Sequence, residues 1–167
     1  MASNKATWVG NLNGAAEPLV LLGIFEAGAT HEVKRGEILN LVTTWHSGTD
    51  TAVSGIVAIA NEEIKSGDRA GYYEIIVPRP GDVFEFELAT AAATAVGTAM
   101  YLSTSQKLAA SGSNILAYAV GQEHYPQKQG HLSDAPGGDA GTTVRTTTHV
   151  RVCFKAAASY YAILQVP

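Results

Sequence analysis

Three things are scarce in this 167-residue chain: cysteine, charge and long apolar runs. Its single cysteine, Cys153, excludes an intrachain disulfide and a multi-cysteine zinc site. Lys and Arg number only 11 and form no basic run, so we expect no nucleic-acid binding through phosphate neutralisation. The longest apolar run, residues 18–25, is too short to cross a bilayer as a helix, and the first residues lack the apolar core of a secretory signal. We therefore expect a soluble protein that is made in the cytoplasm and does not bind membranes.

The low charge also bears on the surface. Charged residues make up 16% of the chain, against about a quarter in an average globular protein, and the net charge is −4. A lightly charged surface is typical of proteins that partners partly cover. The length suits one domain with a core large enough to need neither a disulfide nor a metal, and no cofactor is predicted.

Apolar residues recur with the spacing of short β-strands. Residues 19–25 are almost continuously apolar, which predicts a buried strand. Residues 38–45 alternate, and in residues 83–88 Phe84, Phe86 and Leu88 face one way while Glu85 and Glu87 face the other. Further strands are expected at 55–60, 72–77, 97–121, 145–155 and 160–166. About eight to ten short strands separated by turn residues predict an all-β domain, a small β-sandwich or a barrel-like fold.

Three segments depart from this strand pattern. Residues 1–17 predict an extended N-terminal arm before a single β domain at 18–167, and the arm is either a frayed terminus or a segment that orders on a partner around Trp8. Residues 89–96, ATAAATAV, are the best candidate for a short helical turn. Residues 122–143 contain two prolines and a Gly-Gly pair, which predicts a long loop.

The acidic residues offer little chemistry. Glu85 and Glu87 lie on one strand face about 7 Å apart, a spacing compatible with a glycosidase pair, but two carboxylates on a wet strand face are far more often structural. Glu62 and Glu63 are best explained as a solvated turn, because no second catalytic group lies near them in the sequence.

Histidine and cysteine likewise predict no active site. The five histidines are scattered without the spacing of a metal site: His31, His46, His124, His131 and His149. Cys153 shares a strand face with Arg151 and Lys155, two cations expected to lower its pKa, but no matched histidine accompanies it. We therefore predict a protein that is not an enzyme.

One stretch, residues 96–122, carries a pattern found elsewhere. Val96–Gly97 is followed by a strand with Met100, Tyr101 and Leu102, then by Lys107–Leu108 after a polar turn, and then by the strand Ala117–Gly121. The strand Gly81–Phe86 precedes it. This arrangement resembles the head decoration (cement) proteins of tailed bacteriophages and their prophage relatives.

The resemblance implies a structural virion protein that binds the outer surface of the assembled capsid and stabilises it. It implies the major capsid protein as partner, a homotrimer as the assembly, and the capsid exterior as the location. In that case the N-terminal arm is expected to face the capsid, with Trp8, Val9 and Leu12 as contact residues.

Two other function classes stay open from the residues. The first is a carbohydrate- or receptor-binding β module of a phage tail or host-attachment structure, with a shallow sugar site lined by Tyr72, Tyr125, Tyr160 and Tyr161. These tyrosines are equally explained as packed strand residues with hydroxyls at the rim. The second is a small hydrolase that uses Glu85 and Glu87.

Overall fold

The structure is a computed structural model that describes residues 6–25, 32–41, 44–47, 56–122 and 146–155. These residues form eleven β-strands and no helix, which confirms the predicted all-β class. The strands are β1 (Thr7–Asn11), β2 (Val20–Phe25), β3 (Ile38–Leu41), β4 (Trp45–Ser47), β5 (Val57–Ala60), β6 (Gly71–Ile76), β7 (Asp82–Ala93), β8 (Ala99–Leu102), β9 (Leu108–Ala109), β10 (Ile115–Gln122) and β11 (Thr146–Phe154).

The first sheet closes on itself. Its strand order is β1-β7-β11-β10-β8-β9, and β9 also pairs in parallel with β7 through Leu108 and Leu88. Five strands therefore form a small closed barrel, and β1 is added to β7 as a sixth strand. The predicted alternation in residues 83–88 is confirmed, because Phe84, Phe86 and Leu88 are buried while Glu85 and Glu87 are half-buried on the opposite face.

The second sheet has the order β2-β6-β5-β3-β4, and all its pairings are antiparallel. The single strand predicted at residues 38–45 is wrong: β3 and β4 form a hairpin in which Leu41 lies opposite Trp45 and Leu39 opposite Ser47. Reversing the chain there places both Leu39 and Trp45 in one apolar cluster.

The core consists of two clusters on opposite faces of the second sheet. The inter-sheet cluster joins the inward side chains of the first sheet to Ile38, Val57, Ile59 and Ile76 of the second. The second cluster covers the other face of that sheet and includes Trp45. Strands β3 and β5 are buried on both faces, which explains their almost wholly apolar sequences.

The helical turn predicted at residues 89–96 is wrong. Residues 89–93 continue β7, and Ala92 and Ala93 pair with Thr147 and Thr146 of β11. A short alanine-rich segment gains too little from helix propensity to nucleate alone, whereas the neighbouring strand supplies partners for its backbone groups.

The N-terminal arm also needs correction within its described part, residues 6–17. Residues 7–11 are β1, with Thr7 opposite Glu85 and Trp8 opposite Phe84, and the Leu12 amide donates to the Gly81 carbonyl. This segment belongs to the sheet because β7 offers it an unpaired edge. The predicted loop at 122–143 and the predicted strand at 160–166 lie outside the described residues, except for Gln122 at the end of β10.

Gly23 of β2 lies close to Trp45 of β4, although these strands are at the two ends of the second sheet. A Cβ added to Gly23 would lie 2.5 Å from Cδ1 and 2.7 Å from Nε1 of the buried Trp45 ring. The sheet is therefore curled enough for its end strands to meet.

We predict that Gly23→Ala lowers the free energy of unfolding by about 1–3 kcal/mol, because the rigid indole cannot move away without disturbing its cluster. Urea unfolding followed by tryptophan fluorescence measures this change. The matched control is Gly71→Ala, since nothing lies within 4 Å of a Cβ at Gly71, which is the strand partner of Phe25. Equal stabilities of the two variants would contradict the close packing of β2 on Trp45.

Candidate docking surface

The predicted contact residues Trp8, Val9 and Leu12 lie on β1 and just after it, but they face different surroundings. Trp8 is half-buried and packs against the inter-sheet cluster. Val9 is the extra residue of a bulge, since the pairing with β7 shifts between Trp8 and Gly10. Val9 is 40% exposed and Leu12 is 54% exposed. Trp8 thus anchors β1 to the fold, and Val9 and Leu12 are the accessible members of the set.

The carboxylate of Asp82 holds this segment in place. Although Asp82 is only 1% exposed, its Oδ1 accepts hydrogen bonds from Trp8 Nε1 at 3.0 Å and Asn11 Nδ2 at 2.8 Å. Its Oδ2 accepts from the backbone N of Arg79 at 2.8 Å and from Arg79 Nε at 3.1 Å. Arg79 also donates to the carbonyl of Glu17. One buried acid therefore joins both ends of residues 8–17 to the turn before β7.

These bonds set the charge state of Asp82. Burial raises the pKa of its carboxyl, but hydrogen bonds from Arg79, Asn11 and Trp8 outweigh burial and hold the pKa below its ordinary value of 3.8. Asp82 was not predicted as a functional residue, because its partners Trp8 and Asn11 lie 74 and 71 positions earlier in the sequence. The available signal was an aspartate directly after Pro80–Gly81, a position where Asp commonly bonds to turn backbone.

An apolar stripe lies on the face of the second sheet that bears Ile76, the face that packs in part on the first sheet. We define it as Val20, Leu22 and Ile24 of β2 with Tyr72 of β6, which lies directly opposite Ile24. Their exposed fractions are 39%, 66%, 48% and 66% in that order. Ile76, opposite Val20 on the same face, is buried in the inter-sheet cluster. The stripe is therefore the uncovered continuation of a face that elsewhere packs on the first sheet.

This exposure corrects the buried strand predicted at residues 19–25. Only Gly23 and Phe25 are buried there, and alternate side chains face outward. A solvent-facing end strand usually carries charged residues that discourage contact, and β2 carries none. Glu74, opposite Leu22, is half-buried, and its Oε2 accepts a hydrogen bond from Asn61 Nδ2 at 2.7 Å. A contiguous apolar surface of this kind is characteristic of a docking site.

A groove of about 340 Å³ adjoins the stripe, between the start of β1 and the second sheet. Trp8, Pro18 and Ile76 form its apolar walls, and Arg35 and Asn61 contribute polar groups. Ile76, which lines the groove, is the strand partner of Val20, and Pro18, which also lines it, lies two residues before Val20, so the groove lies next to the Val20 end of the stripe. Arg35 is exposed and has no hydrogen bond or ion pair with any described residue.

The carboxylates suggested as a hydrolase pair are each engaged by a cation. Glu85 Oε2 lies 3.3 Å from Arg151 Nε, and Glu87 Oε1 lies 2.7 Å from Lys107 Nζ. The second Glu87 oxygen is buried and has no hydrogen-bond partner among the described residues. Arg151 lies on β11, directly opposite Glu85, and Lys107 immediately precedes β9, so cations of adjacent segments hold both acids, as in structural ion pairs of a sheet. Glu62 is exposed, as expected for a turn residue, and its Oε2 accepts a hydrogen bond from the backbone N–H of Glu74 at 3.1 Å.

The described histidines form no shared site. His46 Nε2 lies 3.0 Å from Thr44 Oγ1, and His149 Nδ1 lies 3.1 Å from Thr148 Oγ1. No group of three or more His, Cys, Asp or Glu side chains in the described ranges is arranged to hold a metal ion. His31, His124 and His131 lie outside those ranges.

Cys153 differs from expectation. Burial, and then the negative charge of Asp82, raise the pKa of its thiol, so the lowering predicted from Arg151 and Lys155 is wrong. Arg151 is already paired with Glu85, and the half-buried thiol has lost solvent that would stabilise a thiolate. The thiol is thereby less reactive than an exposed one.

We predict that Asp82→Asn lowers the free energy of unfolding by about 2–4 kcal/mol at pH 7, because an amide cannot accept all the hydrogen bonds of the buried carboxylate. The folded pKa lies below the unfolded one, so the carboxylate stabilises the fold above the unfolded pKa. That contribution is lost as pH falls through the folded value, below 3.8. Urea unfolding at several pH values between 7 and 2.5 measures the difference in free energy of unfolding between wild type and variant, which should narrow as the pH falls.

The control for this series is Glu63→Gln, an exposed acid whose substitution changes stability by less than about 0.5 kcal/mol. If the difference in free energy of unfolding between wild type and Asp82→Asn stays constant down to pH 2.5, the ionised Asp82 carboxylate is not what stabilises the fold, and the prediction is wrong.

Comparison with known proteins gives no family for the chain: no family model, curated protein or solved structure matches it. Among the described residues, no helix is long and apolar enough to span a membrane. Its function is therefore inferred from its own residues.

Proposed function

We propose that this chain is a structural virion protein that binds the outer surface of an assembled tailed-phage capsid and stabilises it, as a homotrimer, with the major capsid protein as partner. The observation that carries the proposal is the exposure of large apolar side chains on two surfaces. The first consists of Val9 on β1 and Leu12 just after it, and the second is the apolar stripe on β2 and β6. The two carboxylates considered for a hydrolase also support it, because Glu85 is ion-paired with Arg151 and Glu87 with Lys107.

Adhesion through such surfaces explains stabilisation without chemistry. A protein that binds the assembled shell and not its precursor shifts the equilibrium toward the bound shell by mass action. Burying one Leu or Ile side chain contributes roughly 1.5–3 kcal/mol, so a few exposed apolar residues supply a modest affinity per site. A trimer presents each surface three times, which multiplies that affinity through effective concentration.

Within this proposal Val9 and Leu12 face the shell. Both lie on a segment fixed by the Asp82 network, so little conformational entropy is lost when they dock. Trp8 acts indirectly, since its indole N–H is committed to Asp82 and its ring packs on the inter-sheet cluster.

No specific observation on the described residues favours the carbohydrate-binding alternative. Of its four proposed tyrosines only Tyr72 lies within the described residues, and it belongs to an aliphatic stripe. The other exposed tyrosine of the described residues, Tyr118, is on the first sheet. The stripe offers a sugar one aromatic ring, that of Tyr72, beside three aliphatic side chains.

The test is co-sedimentation with expanded and with precursor tailed-phage shells, preceded by light scattering to measure mass in solution. We predict a trimer that pellets with expanded shells only, and binding at least about tenfold weaker for the double variant Val9→Ser, Leu12→Ser. Deleting residues 1–17 is unsuitable because it removes β1 and uncovers the inter-sheet cluster.

The matched control is Val96→Ser, since Val96 is 45% exposed and lies in a turn of the first sheet away from β1. It should bind as wild type does. A wild-type protein that stays in the supernatant with every shell would refute the proposed function, and equal binding of the double variant would refute the role of Val9 and Leu12.

A further inference from the structure

We propose that the apolar stripe and the adjoining groove together bind one extended segment of a partner polypeptide, with an acidic group of that segment at Arg35. The inference deepens the proposed function, on which it rests for the identity of the partner as the shell subunit. It adds a second contact, distinct from Val9 and Leu12, with its own recognition chemistry.

The shape of the surface fits an extended chain. Val20, Leu22 and Ile24 are alternate residues of one strand, so their side chains repeat about every 7 Å and cover about 13 Å. An extended peptide presents its own alternate side chains at the same interval, which lets each one pack between two stripe residues. The groove continues this path beyond Val20, where Trp8, Pro18 and Ile76 provide walls for a further side chain.

The charge of Arg35 indicates the chemical character of the bound segment. Among the described residues that line the groove, Arg35 is the only charged one. Its guanidinium is exposed and makes no ion pair within the described residues. A carboxylate that reaches Arg35 forms charge-assisted hydrogen bonds with its guanidinium, which is able to donate two in parallel. Asn61 lines the same groove. The stripe itself has no charged member, so the remainder of the segment is apolar on the face that touches it.

Contact area distinguishes this occupant from a second copy of the chain. A stable protein–protein interface buries about 1,200–2,000 Å² in total, with about 20 or more residues on each side. Four exposed side chains next to a small groove provide much less, and the neighbouring Glu74 on this face is polar. A segment of about eight residues needs no more than the stripe and the groove, because its own narrow surface is covered almost completely.

The first experiment uses two fluorescein-labelled octapeptides that alternate leucine with serine, one with an aspartate at each end and the other with a lysine at each end. Fluorescence anisotropy should show tighter binding of the aspartate peptide to the wild-type protein. Leu22→Ser and Tyr72→Ser should each weaken it by about tenfold, the loss of one apolar contact. Arg35→Glu should reverse the preference, so that the lysine peptide binds more tightly.

Each of these variants has a matched control of the same chemistry outside the surface. Val96→Ser is the control for Leu22→Ser, Tyr118→Ser for Tyr72→Ser, and Arg69→Glu for Arg35→Glu, and all three control positions are exposed. Urea unfolding of every variant shows that loss of binding is not loss of fold. Failure of both peptides to bind at millimolar concentration, or unchanged binding after Leu22→Ser or Arg35→Glu, overturns the inference.

The second experiment separates this inference from the proposed function. A photo-crosslinking p-benzoylphenylalanine is placed at position 22 or, as control, at position 96, and the protein is incubated with expanded shells. Crosslinks from position 22 to one segment of the shell subunit support the inference. Co-sedimentation with crosslinks from position 22 only to another copy of the chain overturns the inference and leaves the proposed function intact. Peptide binding without any co-sedimentation supports a peptide site and overturns the capsid function.

Discussion

The fold depends on β7, a twelve-residue strand that three other strands share. Along one edge β7 pairs with β11 over most of its length, and along the other it pairs first with β1 and then with β9. The parallel contact of β9 closes the barrel, and the contact of β1 brings the N-terminal segment into the sheet. Because strict alternation sends Phe84 and Phe86 inward, any slip in the register of β7 would expose the core and bury charge.

Closure of the first sheet has a consequence for the second. A five-stranded barrel is narrow, so it covers β3, β5 and the Ile76 end of β6 but leaves β2 uncovered. The face of the second sheet is thus divided into a part that forms the inter-sheet cluster and a part that meets solvent. Exposure of Leu22 and Ile24 follows from the architecture, whereas the lack of any charged residue on β2 is a property of the sequence. The second fact is the one that indicates a partner.

Residues whose structure depends on near neighbours were predictable, and those that depend on distant contacts were not. The alternation of Phe84 and Phe86 with two glutamates indicated a strand with one buried face, as found, although the glutamates on the other face are half-buried and not fully solvated. The break between Leu41 and Trp45 was missed because the intervening Val42, Thr43 and Thr44 include no Gly, Pro, Asn or Asp to signal a turn.

Burial was harder to predict than strand type. An apolar run such as residues 19–25 has the same pattern whether its second face meets the core or a partner. The alanines after Leu88 favour a helix by propensity, and only the pairing with β11 decides for a strand. The role of Asp82 depends on Trp8, 74 positions earlier, which no local pattern reveals.

The distribution of charge and apolar surface separates stability from recognition in this molecule. Ionisable side chains near the sheet faces serve the fold: Asp82 fixes β1, and Glu85 and Glu87 are neutralised across strands. Apolar contacts are non-directional, so in the proposed complex Leu22 and Tyr72 would contribute affinity but discriminate poorly among partners. Discrimination then requires a group with a defined charge and geometry beside the stripe, and Arg35 is the residue of the groove that has both. In the proposed complex, binding free energy comes from several weak apolar contacts and specificity comes from one cation.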